Sequence, residues 1–92
     1  MNCLLISYDL GSPESSSDYQ NVIKYIKSLG KYTKPLYSVF LVVTNKSEVN
    51  VVDELIELTD NNDRILVINI TSNDWATAGL NKSVNDWMND NI

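Results

Sequence analysis

An α+β fold of the ferredoxin-like βαββαβ type, an antiparallel sheet with two helices on one face and a short C-terminal helix, is predicted by three observations. Strand-length apolar runs occur at 3–9, 39–44 and 65–70. Apolar residues at helical spacing fill the two intervals between them, and a short β-favouring stretch with a proline precedes the second run. Strand, helix, strand, strand, helix, strand is the split βαβ order.

The first strand is Cys3-Leu4-Leu5-Ile6-Ser7-Tyr8-Asp9, broken at once by Gly11-Ser12-Pro13. A carboxylate thus stands at the carboxyl end of a buried first strand, where small α/β proteins often place ligands or metals. Ser12 to Ser17 has turn formers and no apolar anchor, so an exposed, mobile loop is expected. Ser17-Asp18-Tyr19-Gln20 fits a capping box, and Tyr19, Val22, Ile23, Ile26 and Leu29 then share one helical face. Gly30 is placed to end that helix in the left-handed conformation.

Beyond Gly30 the chain turns to β-formers, with Pro35 interrupting. Proline cannot donate to a ladder, so it marks an edge, a bulge or a bend. Two strands are expected, a short one near 31–36 and a strong one near 38–44. Ser47 can cap a second helix that turns Val51, Val52, Leu55, Ile56 and Leu58 inward, with Glu48, Asp53 and Glu54 near its positive end. Asp60-Asn61-Asn62-Asp63 is a polar turn, and Arg64 to Ile70 is a continuous apolar run of the sort found inside sheets.

Two helices on one face leave the other face of the sheet bare. Exposing several Val, Ile and Leu side chains there would forfeit about 1.5–3 kcal/mol each, so a second copy of the chain or the tail must cover it. The division is therefore a core over residues 1–70 and a loop and helix over 71–92 that pack on the core or on a dimer mate. In the tail, Trp75 and Leu80, then Val84, Trp87 and Met88, suggest a loop and an amphipathic helix from about Asn81. The tryptophans suit packing better than base stacking, because no basic stripe surrounds them.

Composition excludes much chemistry. The chain has no histidine and one cysteine, Cys3. Ser-His-Asp and Cys-His catalysis, imidazole-dependent zinc sites and intrachain disulfides are all ruled out. Cys3 reads as a small buried apolar residue in a reducing compartment. No apolar run reaches the roughly 18 residues that cross a bilayer, and no secretion signal opens the chain, so a cytoplasmic protein without membrane contact is expected. Twelve acidic and seven basic residues give a net charge of −5, which disfavours nucleic acid as a partner without excluding it.

Four of the cations, Lys24, Lys27, Lys31 and Lys34, fall in one short stretch. They form a solvated helix end that complements the helix dipole, or a local patch for an anion or an acidic partner. Asp9 likewise has two readings: a carboxylate that caps the start of the following loop, or a metal ligand. A lone carboxylate binds Mg2+ or Mn2+ poorly, but a twofold axis would supply a second Asp9, and such a pair could support slow phosphodiester hydrolysis with Asp9 as the catalytic residue. Asp60 and Asp63 lack the glycine and terminal glutamate of a calcium loop and fit a surface turn.

Leu4 to Leu10, the helix end Leu29-Gly30, Ser38-Val39-Phe40-Leu41-Val42, Asn62 to Val67, and the tail from Trp75 through Gly79-Leu80 to Asp86-Trp87 together resemble the SinR-like small bacterial and phage proteins. The resemblance covers nearly the whole chain. The first two-thirds is more distantly similar to the second CRISPR-associated adaptation protein and to virulence-associated protein D. Those resemblances imply a ferredoxin-like homodimer joined through its sheets, with an aspartate at the end of the first strand that in some members shares a divalent metal across the dimer and supports nuclease activity. The carry-over reaches Asp9, with Tyr8 before it and Ser38 opening the third strand. It departs where relatives commonly carry arginines and this chain has Gly11, Ser12, Pro13 and Glu14.

Three functions follow. The first is a homodimeric protein-interaction module, such as an antitoxin, an immunity protein or a phage-defence modulator, whose acidic surface engages a protein partner. The second is a metal-dependent nuclease with paired Asp9 residues. The third is a regulatory domain that takes a nucleotide or other anion at the lysine patch. The residues favour the binding module over an enzyme, with no resident cofactor.

Overall fold

A computed structural model of the chain describes residues 1–11 and 16–92, the side chains of 16 and 17 excepted. Its elements are β1 (Asn2–Asp9), α1 (Ser16–Ser28), β2 (Tyr32–Leu36), β3 (Val39–Thr44), α2 (Glu48–Ile56), β4 (Arg64–Asn69) and α3 (Lys82–Asn91). The strands form one sheet in the order β2-β3-β1-β4, and every neighbouring pair is antiparallel. This is the ferredoxin-like arrangement predicted from the pattern of apolar runs. No helix among the described residues is long and apolar enough to cross a membrane.

Register decides which residues share a face. Ile6 stands between Phe40 and Val67, and Leu4 faces Val42. With Tyr8 and Leu10 these residues make the front core, closed by Val22 and Ile26 of α1 and by Val51 and Leu55 of α2. On the back, Leu5 lies between Leu41 and Ile68, and Ser7 between Val39 and Leu66. There α3 covers only part of the surface: Val84 and Met88 bury Leu41, with Leu5, Ile70, Leu80, Trp87 and Ile92 around them.

Local chemistry accounts for the element ends. The Ser47 hydroxyl accepts the Asn50 N–H at 3.2 Å and caps α2 as expected. Asn81 is the cap residue of α3, although its side chain makes no capping bond. The expected capping bonds of Ser17 and the loop at 12–15 lie outside the described residues.

Pro35 sits in β2, an edge strand, where its missing N–H is tolerated and the register with β3 shifts between Thr33 and Leu36. Gly30 departs from the expected left-handed helical conformation, with φ at +158°. What calls for glycine there is the close approach of β3: an added Cβ would run into the Val43 carbonyl oxygen.

Two further expectations are corrected. β4 is an edge strand and not an interior one, so its run is half-solvated, with Leu66 and Ile68 54% and 44% exposed. Ile56 and Leu58 also stay exposed, because α2 ends at Ile56 and only Val51 and Leu55 are fully turned to the sheet.

Candidate functional site

The carboxyl end of β1 is the point where the predicted site residues can be compared. Side chains alternate across the sheet, so Tyr8 and Asp9 leave the strand on opposite faces. Asp9 pairs with Arg64 across the β1–β4 ladder and is exposed on the back face, next in line after Ser7 and its neighbour Leu66. Among the described residues the Asp9 carboxylate makes no hydrogen bond and no ion pair.

The loop-capping role considered for Asp9 belongs instead to Asp63. Its Oδ1 accepts the Gly11 N–H at 2.7 Å, and its Oδ2 accepts the Asp60 N–H at 2.7 Å. One carboxylate thereby clips the exit of β1 to the turn before β4. The polar turn Asp60 to Asp63 was legible in the sequence, but its partner across the sheet was not.

Among the described residues no group of three or more potential ligands converges on a point. At the end of β1, Asp9 offers Mg2+ or Mn2+ one exposed carboxylate from its own protomer. That is fewer oxygen ligands than either ion needs from a dedicated site, and one chain alone does not fit the metal.

The four lysines are distributed over α1, the link that follows it and β2. Lys24 and Lys27 are exposed on α1, and the Lys27 Nζ lies 5.6 Å from the centre of the Tyr32 ring. Lys31 lines a groove with Met1, Leu29, Val43, Lys46 and Asn91 at the far end of the sheet. Lys34 lies toward the end that holds Tyr8, its Nζ 4.9 Å from the Tyr37 ring centre and 5.8 Å from that of Phe40. The same ammonium donates to the Leu36 carbonyl at 3.3 Å.

Around Lys34 the front face opens into a cleft of about 260 Å³ lined by Tyr8, Tyr19, Gln20, Ile23, Tyr37 and Ser38. Tyr8 is nearly buried, with its ring 6.2 Å from that of Tyr19 and stacked at 6.4 Å on Phe40. Burial pushes its hydroxyl pKa up, and the nearby Tyr37 and Tyr19 push it the same way. At neutral pH it is therefore a phenol that can donate.

Tyr37 and Ser38 form the two-residue turn between β2 and β3. Ser38 has φ at 60°, in the left-handed region that costs a non-glycine residue about 1–2 kcal/mol. Its carbonyl accepts the Tyr8 N–H at 3.3 Å, which fastens the turn to the end of β1. Sequence reasoning missed Tyr37: an aromatic at a hairpin tip shows no periodicity, and only the turn makes it 90% exposed.

A protein-family model described as CRISPR associated protein Cas2 matches residues 1–78. The chain belongs to the Cas2 family. The match spans the whole ferredoxin-like core and stops before α3, so the helix that covers part of the back face lies outside the segment matched to Cas2. It also contains Asp9, Tyr8 and Ser38, the positions reached by the resemblance drawn from the sequence.

Proposed function

We propose that this Cas2-family protein works as a cytoplasmic homodimeric CRISPR-associated module whose task is to bind a protein partner, in adaptation or in modulating phage defence. The observation that carries the dimer is the incomplete cover of the sheet. Leu66 and Ile68 project from β4 on the back face beyond the reach of the α3 cluster, beside Ser7 and Leu5. Burying two such side chains in a mate favours association by several kcal/mol before the cost of association is met, at about 1.5–3 kcal/mol for each.

The acidic surface suits a partner with a basic one, because complementary charge speeds encounter and discriminates against wrong partners. Within the family we place the chain beside the SinR-like small bacterial and phage proteins, on the tail from Trp75 to Trp87 that accompanies the core. Sedimentation of the wild type against Leu66→Glu tests the dimer: a wild-type dimer that becomes a folded monomer in the variant supports it, and a wild-type monomer at high concentration overturns it. Co-purification with proteins of the same CRISPR locus tests the partner. A salt-sensitive complex is expected, and recovery of this chain alone would count against the reading.

A second reading rests on Asp9, which is exposed, without an ion-pair partner among the described residues and on the same face as Leu66. A dimer formed through that face would bring two Asp9 carboxylates toward a shared axis, the condition under which a divalent ion could be held. Incubation with RNA and DNA and Mg2+ or Mn2+, beside Asp9→Ala, decides it. Cleavage that is absent, or equal in the variant, ends the nuclease reading.

A further inference from the structure

The cleft on the front face is formed by one protomer alone, and nothing in the dimer or nuclease readings uses it. Its walls are three phenols, Tyr8, Tyr19 and Tyr37, with the Lys34 ammonium beside them and the Ser38 and Gln20 side chains at its border. Two features show a built arrangement. The Lys34 Nζ is held between the Tyr37 and Phe40 rings and the Leu36 carbonyl, which engages one of its three N–H donors and leaves two for an anion. The hairpin tip that presents Tyr37 is kept in a left-handed turn at Ser38 and bonded to the Tyr8 backbone. Unfavourable backbone conformations fixed by their surroundings cluster at ligand clamps.

We propose that this cleft binds one nucleoside monophosphate unit, its base laid against the exposed Tyr37 ring and its phosphate held at the Lys34 ammonium. A flat ring and an anion on one small molecule match an aromatic wall and a tethered cation a few ångströms apart. At about 260 Å³ the cleft lies below the roughly 300–1,000 Å³ of pockets that enclose drug-sized ligands, so it has room for no more than one such unit, with part of it left in solvent. Stacking on an aromatic side chain tolerates any base, so the site selects for nucleotide chemistry and not for sequence. The unit can come from a free nucleotide or from a single strand, and one experiment separates these sources.

Isothermal titration of the whole protein with AMP, adenosine, inorganic phosphate and an eight-nucleotide oligo(dA) is the test. AMP should bind at least about tenfold more tightly than adenosine or phosphate alone, because each half engages only one wall. Tyr37→Ala should weaken AMP at least about fivefold through loss of stacking. Lys34→Ala should remove the advantage of AMP over adenosine and flatten the salt dependence.

Both side chains are exposed, so unchanged thermal midpoints will show that the variants fold. Binding of the oligonucleotide but not AMP, lost in Tyr37→Ala, assigns the site to strands; binding of AMP assigns it to free nucleotides. No heat from either at up to about 1 mM, or affinity equal to wild type in both variants, overturns the proposal. Asp9→Ala should leave AMP binding unchanged, since Asp9 is on the opposite face, so this result is separable from that of the nuclease assay.

Discussion

Asp63 holds Gly11 across the end of the sheet: its carboxylate accepts the Gly11 N–H at 2.7 Å while its other oxygen takes the N–H of Asp60. Fifty-two positions apart in the chain, the two residues fix where the first strand gives way to the loop. Asp63→Ala should lower stability by about 1–3 kcal/mol, since two charge-assisted bonds are lost. Asp63→Asn should cost less, because its remaining carbonyl oxygen can still accept from Gly11. Urea denaturation of the two variants checks the ranking. Gly11→Ala should be as harmful as Asp63→Ala, because the new methyl would sit 2.5 Å from the Asn62 carbonyl oxygen.

Gly30→Ala should destabilise the protein by about 1–3 kcal/mol or more, the range for forcing atoms into filled space. The obstacle is the Val43 backbone oxygen and not a flexible side chain, so β3 or the end of α1 must shift. A thermal midpoint several degrees below wild type is expected, and a midpoint equal to wild type would contradict the close approach.

Acid should weaken the α1–α2 contact through Glu54. Its Oε1 accepts the Tyr25 hydroxyl at 2.7 Å, and both its oxygens accept from Lys46. The Lys46 hydrogen bond first and the Tyr25 hydrogen bond second hold the Glu54 carboxyl below its ordinary range. A folded-state pKa below the unfolded one means that the folded form favours the charged carboxylate. Its contribution is present above about pH 4.3 and fades as pH falls through the lowered value. The urea midpoint should therefore drop less between pH 7 and pH 3 in Glu54→Gln than in wild type.

Cys3 should behave as a packing residue. It is buried, and burial pushes its thiol pKa up, so little thiolate exists at neutral pH. Under native conditions a disulfide reagent should react far more slowly than in denaturant. Equal rates in the two conditions would show an open first strand.

Much of the fold was legible because its signals are local. Ser47 announced α2, Val51 and Leu55 lay at helical spacing, and Pro35, read as an edge, a bulge or a bend, falls on an edge strand. What the sequence concealed was pairing at a distance. The apolar run at 64–70 reads as an interior strand, and only the order of the sheet makes it an edge with Leu66 and Ile68 outward. The site was half legible for the same reason. Asp9 ends the first strand as the pattern implied, whereas Asp63 as the clip and Tyr37 as a wall depend on a turn and a cross-sheet bond that no spacing reveals.

The sheet also separates the chromophores. Both tryptophans belong to the tail, with Trp87 packed on the α3 cluster and Trp75 beside the groove under it, whereas Tyr8, Tyr19 and Tyr25 pack in the core between the sheet and the helices on the other side. Indole emission will thus register lifting of the tail, and phenol absorbance will register melting of the helices. A single unlabelled sample carries two optical gauges, and coincidence of their transitions will show whether the two sides come apart as one cooperative unit.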